Sequence, residues 1–276
     1  MSGARIGPLR TALFAPAGDA RKLQRAWASG ADAVILDLED AIAATAKDAA
    51  RAALAEDLRA RPAGAPPALV RINAPASDAG RRDLVALEGL PVDALVVPKA
   101  EADAVAAVAD RGVPVVALVE TAAGVLDAAR IARTPGVALL MLGPVDLSAE
   151  LGCDPADELL VARSQLVLAS AAARLPQPLD GPCLALDDAD ALHAESLRAR
   201  RLGFGGKACI HPRQLDVVAA AFADDEAQRA WAARVVAAHA EAERDGGGVT
   251  VVDGQMVDAP VVRRARAVLA REEALA

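Results

Sequence analysis

Eight times along the chain, a short and nearly continuous apolar run is followed by a stretch with helical spacing. The runs fall at 11–16, 33–38, 68–73, 94–98, 114–120, 138–142, 179–186 and 206–211. The helical stretches fall at 19–29, 45–59, 78–87, 101–110, 122–132, 155–174, 189–201 and 212–223. A strand with one wet face alternates apolar and polar residues, whereas a strand covered on both faces does not. AVILDL at 33–38 and PVVALVE at 114–120 are of the second kind. Strands alternating with helices imply βαβ connections and a parallel sheet. Eight such units in roughly 220 residues fit a closed (β/α)8 TIM barrel better than an open doubly wound sheet. The open sheet is the structural alternative, but no G-x-G-x-x-G follows the first run, so its usual dinucleotide signal is missing.

The barrel is expected to take residues 1–223 and to leave a C-terminal extension at 224–276. The extension reads as a helix at 226–244, a glycine run at 245–248, an extended stretch at 249–253 and a last helix from residue 259. It is too short to be expected to carry a core of its own. It is expected to pack on the barrel or on a neighbouring subunit as a lid, with the glycine run as its hinge.

Composition narrows the chemistry. The chain has three Phe, two Trp and no Tyr, so it offers no phenolic acid or base and too few rings for a base-stacking platform. A net charge of −8 argues against a nucleic-acid backbone as partner. Lys22, Lys47, Lys99 and Lys207 are the only lysines, and so the whole candidate list for Schiff-base chemistry. Cys153, Cys183 and Cys209 form no C-x-x-C pair, which indicates neither a zinc knuckle nor a disulfide framework. The N-terminal MSGARIGPLR has no apolar signal core, and no run approaches the ~20 residues of a membrane span, so the expected compartment is the cytoplasm.

In such a barrel the chemistry sits at the carboxyl ends of the strands. Polar residues gather there: Asp37, Glu39 and Asp40 after the second run, Arg71 and Asn73 in the third, and Lys99 after the fourth. Glu120 ends the fifth, Asp146 follows the sixth, Asp180 lies in the seventh and His211 ends the eighth. Acids on one rim repel unless a cation sits among them. Oxygen ligands with little His and no Cys suit Mg2+ or Mn2+, and Glu120 and Asp146, ending adjacent strands, are the natural pair. Either acid could instead cap the helix that follows. Arg71, inside a strand, could pair with Glu39 or Asp40, bind a carboxylate or stabilise an enolate. Lys99 is expected to form an ion pair rather than a Schiff base, and His211 to be a structural hydrogen-bonder.

The ordered strings ADAVILDLED at 31–40, VRIN at 70–73, VPK at 97–99, ETA at 120–122, GPVDL at 143–147, GKACIHP at 206–212 and DGQMVDAP at 253–260 resemble one family. They are similar to the citrate lyase β-subunit-like branch of the HpcH/HpaI aldolase/citrate lyase superfamily, which includes malyl-CoA and citramalyl-CoA lyases. The resemblance implies a (β/α)8 barrel, Mg2+ dependence, homo-trimers or hexamers, and reversible carbon–carbon cleavage of a β-hydroxyacyl-CoA into an acyl-CoA and a 2-oxo acid. Carried over by position, it implies Glu120 and Asp146 as metal ligands and Arg71 as the arginine that binds substrate oxygens. Glu39 and Asp40 match acids around the metal and its waters. Phe14, Arg21, Arg25, Lys47 and Arg51 match CoA contacts, and Leu179 and Asp180 a further substrate contact. Asp258 matches a catalytic aspartate carried by a lid, typically from a neighbouring subunit.

Three alternatives stand beside this. One is a metal-dependent 4-hydroxy-2-oxo-acid aldolase that uses no CoA, which GPVDL also fits. Another is a Schiff-base aldolase using Lys99. The last is a non-catalytic subunit that binds an acyl-CoA or serves a lyase complex.

Overall fold

The computed structural model describes residues 7–154 and 159–273. Eight parallel strands close into a barrel in sequence order. They are β1 (Thr11–Pro16), β2 (Ala33–Asp37), β3 (Ala68–Arg71), β4 (Ala94–Val97), β5 (Val115–Val119), β6 (Val137–Leu142), β7 (Leu179–Asp180) and β8 (Gly206–Cys209), with β1 pairing β8 to seal it. The surrounding helices are α1 (Ala20–Trp27), α2 (Lys47–Arg59), α3 (Asp78–Ala86), α4 (Ala102–Ala109), α5 (Ala122–Leu126), α6 (Ala128–Arg133), α7 (Pro144–Leu151), α8 (Leu160–Ala173), α9 (Ala189–Leu202) and α10 (Leu215–Phe222). The expected (β/α)8 barrel is the fold found.

Period-two geometry divides each strand between two cores. Ala12, Ile35, Leu69, Val96, Leu118 and Met141 fill the barrel interior. Val34, Leu36, Val70, Val97, Val119 and Leu142 face the layer between barrel and helices. Both sets are buried, which is why the strands read as unbroken apolar runs. The same parity decides which polar residues point inward. Asp37 follows Ala33 and Ile35 in phase, Arg71 follows Leu69, and Glu120 follows Val116 and Leu118, so all three continue the interior-facing series at the carboxyl rim.

Three local expectations change. The seventh strand stops at Asp180 rather than residue 186, because Pro182 has no N–H to extend the ladder. Gly143-Pro144, outside the helical stretches expected from the sequence, opens a helix: Pro144 sits at its first position, where its fixed φ suits a helix start and no amide bond is lost. The helix expected at 155–174 is described only as α8, and residues 155–158 lie outside the described residues.

The chain divides into two compact units, Met1–Phe222 and Ala223–Ala276. The second holds α11 (Glu226–Arg244), a hairpin of β9 (Thr250–Val252) and β10 (Gln255–Val257), and α12 (Ala259–Glu273). The hairpin turns at Asp253-Gly254, both with positive φ (51° and 76°), as a tight two-residue turn matching the strand twist requires. The expectation that this segment carries no core is corrected. Ala232, Val235, Val252, Val257, Val262, Ala265 and Val268 pack together as a small apolar cluster of its own. Among the described residues no helix is long and apolar enough to cross a membrane.

Candidate active site

Asp37 organises the rim at the end of β2. Its Oδ1 accepts from Arg71 Nε at 2.7 Å and from the Glu39 amide at 2.9 Å. Its Oδ2 accepts from Arg71 Nη2 at 2.6 Å and from the Ala41 amide at 3.0 Å. One carboxylate thus grips the arginine bidentately and ties down the turn that carries Glu39 and Asp40. Arg71 Nη1 donates to Asp40 Oδ2 at 3.1 Å and lies 3.1 Å from Glu39 Oε2, and the guanidinium carbon stands 5.0 Å from the centre of the Phe14 ring. Held on its edges by acids and on one face by an aromatic ring, Arg71 has little freedom left. Burial alone would lower its pKa, but Asp37, Glu39 and Asp40 outweigh that and raise it, so it stays charged.

Glu120 faces the same cleft. Its Oε1 accepts from the Lys99 amide at 2.8 Å. Its stem lies where a side chain at position 143 would stand: a Cβ on Gly143 would meet Glu120 Cβ at 2.5 Å and Oε2 at 2.6 Å. The glycine of GPVDL therefore makes room for the carboxylate. Asp146 sits in the first turn of α7, next to it along the rim.

The electrostatics of this arrangement are unbalanced. Desolvation pushes the Glu120 carboxyl up to about 8, and the neighbouring Glu39 and Asp146 charges push the same way. Desolvation likewise raises Glu39 to about 7, with Arg71 only partly opposing it. Glu39 Oε2 is buried and makes no hydrogen bond, despite its ion-pair distance to Arg71. Five carboxylates thus surround one buried arginine, with the exposed Lys99 acting only weakly on Glu39, and one buried oxygen is left without a hydrogen-bond partner. These hard oxygen donors fit a divalent cation such as Mg2+, which takes one or two carboxylates and fills its remaining positions with water and substrate oxygens. Glu120 and Asp146 are the pair that could hold it.

A cavity of about 380 Å³ opens here, with Asp37, Asp40, Arg71, Glu120 and Asp146 as its charged wall. Its apolar side is Phe14, Leu118, Met141, Pro182 and Ile210. Sequence reasoning found Phe14 through the resemblance and missed the other four. Strand parity, which puts Leu118 and Met141 in phase with interior positions, was the signal available for those two.

Comparison with known proteins decides the family. The HpcH/HpaI aldolase/citrate lyase family model matches residues 10–212. The chain belongs to that family. A citrate lyase subunit β-like protein of Mycobacterium tuberculosis is 40% identical over 269 residues, covering 94% of each chain. A (3S)-malyl-CoA thioesterase of Cereibacter sphaeroides is 39% identical over 275 residues, covering 98% of this chain and 96% of the relative. Among solved structures, protein CitE of M. tuberculosis in complex with magnesium, acetoacetate and coenzyme A has a TM-score of 0.83 at 37% identity and covers 96% of this chain and 98% of its own. A citrate lyase β subunit from the same organism, complexed with oxaloacetate and magnesium, has a TM-score of 0.71 at 37% identity and covers 81% of this chain and 100% of its own.

The geometry brings Phe14, Asp40, Arg71, Glu120 and Asp146 to one cavity, with Glu39 in contact with Arg71. It places other candidates elsewhere. Leu179 is buried in the barrel interior, and Asp180, one residue on, turns into the helix layer. There Asp180 Oδ2 accepts from Lys207 Nζ at 2.8 Å and Oδ1 from Arg163 Nε at 3.2 Å, all three fully buried. Neither residue lines the cavity, so the expected substrate contact is corrected: Asp180 is the fully buried anion of an ion cluster that Glu195 also joins, 3.1 Å from Lys207 Nζ. Asp180→Ala is expected to cost about 3–5 kcal/mol of stability, because it removes the buried anion that Lys207 and Arg163 share, and to leave KM unchanged. Urea unfolding beside steady-state kinetics measures both; a KM effect with normal stability would restore the substrate role.

The expected CoA contacts divide. Arg21 and Arg25 are exposed on α1. Lys47 is corrected, since its three donors are spent within the protein, on the carbonyls of Leu38 and Glu39 and on Asn73; Arg51 is held through Nε by Asp83 and through Nη1 by Asp48, which leaves part of its guanidinium uncommitted. Lys99 is exposed, with a left-handed backbone (φ 46°), and it serves the site through its amide on Glu120. His211 accepts from the Arg213 amide at 3.1 Å and caps a short 3-10 turn, a structural role. Asp258 lies in the second unit at the start of α12, where it accepts from the Val261 amide at 3.2 Å.

Proposed function

We propose that this chain is a Mg2+-dependent carbon–carbon lyase that cleaves, or forms, a β-hydroxyacyl-CoA of the malyl, citramalyl or citryl type. We further propose that it works in the cytoplasm as a homo-trimer or hexamer. The observation that carries this is the rim itself: five carboxylates around one immobilised arginine, with two carboxyl groups pushed towards neutral pKa. Support comes from family membership and from relatives whose structures hold magnesium, CoA and small oxo acids.

Held by Glu120 and Asp146, Mg2+ supplies Lewis-acid polarisation of the substrate's hydroxyl-bearing end and a template for its carboxylate. Arg71 keeps an Nη2 hydrogen beyond its contacts with Asp37, Glu39 and Asp40, and gives it to the thioester oxygen, where enolate charge develops. Glu39, in contact with Arg71 beside the cleft, suits the acceptor of the hydroxyl proton, and Asp40 orders water beside it. The carbon–carbon bond breaks, its electron pair passes to the thioester as an enolate, and a 2-oxo acid departs. Asp258 returns a proton to the enolate carbon, giving the short acyl-CoA. We assign Asp258 to a neighbouring subunit's lid. Phe14, Arg21, Arg25 and Arg51 remain the proposed contacts of the CoA moiety.

The test is cleavage of malyl-CoA, citramalyl-CoA and citryl-CoA with Mg2+ and with excess EDTA. Oxo acid is expected with Mg2+ and none with EDTA. Cleavage of free 4-hydroxy-2-oxo acids alone would assign the aldolase instead, and tight CoA-ester binding without turnover would assign a binding subunit. Hydrolysis is the second reading, favoured by the relatives named (3S)-malyl-CoA thioesterase. A thiol reagent separates the two: hydrolysis releases free CoA with no oxo acid, whereas lyase chemistry releases oxo acid with no thiol.

A further inference from the structure

Behind the acidic turn lies a second polar network that the chemistry above does not use. Asp83 of α3 has no exposed surface. It accepts from the Asn73 amide at 2.7 Å, from Asn73 Nδ2 at 2.6 Å and from Arg51 Nε at 2.6 Å. Asn73 Nδ2 also donates to Leu38 O at 3.0 Å, and its Oδ1 accepts from Lys47 Nζ at 2.5 Å. These partners fix the amide's orientation, since the flipped form would aim oxygen at the Asp83 carboxylate. Lys47 Nζ donates besides to Leu38 O at 2.9 Å and to Glu39 O at 2.8 Å.

An ammonium group has three donors, and here all three are spent. None is left for a phosphate. What they hold is the main chain between Asp37 and Asp40. Arg71 gathers the turn's carboxylates, while Lys47 and Asn73 bind its carbonyls. A turn carrying three acids in four residues would otherwise be free to swing those charges apart into solvent.

We infer that Lys47 and Asn73 are positioning residues: they clamp the Leu38–Glu39 main chain so that Glu39, Asp40 and Arg71 keep their places at the cleft, and Lys47 does not bind the CoA phosphates. The inference rests on the lyase reading for its kinetic consequence only. Outer contacts of this kind are worth about 10–100-fold when removed.

Lys47→Met is the test, with a CoA thioester and the matching pantetheine thioester, which lacks the nucleotide phosphates. Expected is a kcat lower by about 10–100-fold on both substrates, with KM for the CoA ester changed less than about twofold, and partial recovery in Lys47→Arg, whose planar fork cannot converge on all three acceptors. A raised KM confined to the CoA ester, with kcat intact, would overturn the inference and restore the phosphate contact. Unchanged kinetics on both substrates would overturn it too. Amide hydrogen exchange provides a readout independent of turnover: the Glu39 and Ala41 amides are expected to exchange at least about tenfold faster in Lys47→Met, with the strands still protected. If the wild type cleaves no thioester, the lyase reading fails, while exchange still decides the clamp: no local acceleration rejects it. Should Lys47→Met not fold, Lys47→Gln, which can still reach one carbonyl, carries the same comparisons.

Discussion

Glu120→Gln is expected to abolish Mg2+-dependent cleavage while leaving the barrel folded. The substitution keeps the volume against Gly143 and the acceptor for the Lys99 amide, and removes only the charge. Lewis-acid catalysis is worth several kcal/mol, and about 4 kcal/mol is a factor of 10³, so turnover should fall at least that far. A second signature lies in stability. In the metal-free protein Glu120 holds its proton up to about 8 and Glu39 up to about 7, against an ordinary 4.5. A carboxyl whose pKa is raised by folding binds more protons folded than unfolded, so stability falls as pH climbs from about 4.5 to about 8. Mg2+ replaces the proton as the neutralising charge. It is therefore expected to raise the melting temperature of the wild type more at pH 8 than at pH 5, and to do little for Glu120→Gln. Scanning fluorimetry with and without Mg2+ at both pH values measures this. Wild-type turnover in Glu120→Gln, or an undiminished Mg2+ shift, would remove Glu120 as a ligand.

Much of this site was legible because a parallel barrel imposes two simple rules. Chemistry collects at carboxyl ends of strands, and side chains alternate in and out. The first rule brought Arg71, Glu120 and Asp146 forward from sequence alone. It also brought forward Asp180, because a polar residue at a strand end looks the same whichever way it points. The second rule separates them: Asp180 follows the interior-facing Leu179 and must turn outward, where Lys207 waits on the adjacent strand. Lys47 was harder. A cation early in a helix beside an active-site loop can serve a ligand or the loop's own carbonyls, and only the distances distinguish the two. The small core of the C-terminal unit was missed for another reason. Val252 and Val257 sit in three-residue strands whose pairing depends on the Asp253-Gly254 turn, and each half alone is too short to read as a strand.

Asp258→Asn is expected to lower kcat by about 10²–10⁴ with Mg2+ binding intact, the range that a positioned acid or base contributes. Asparagine is chosen because the competing role of Asp258 is structural: its Oδ1 accepts from the Val261 amide at the start of α12. Asn caps a helix as well as Asp does, so this variant keeps the cap and loses only the proton that the enolate carbon needs. Alanine would remove both at once and could not tell them apart. If the aspartate reaches the site from another subunit, the two crippled variants complement each other. A mixed oligomer of Glu120→Gln and Asp258→Asn chains contains some sites with an intact metal pair from one chain and an intact aspartate from the other. Co-refolding the two inactive variants should then restore a fraction of wild-type turnover. A mixture as inactive as its parents, while Asp258→Asn alone shows the loss, would place the aspartate over its own barrel. Full activity in Asp258→Asn would leave Asp258 as a helix cap and nothing more, and the proton for the enolate would have to come from the rim acids themselves.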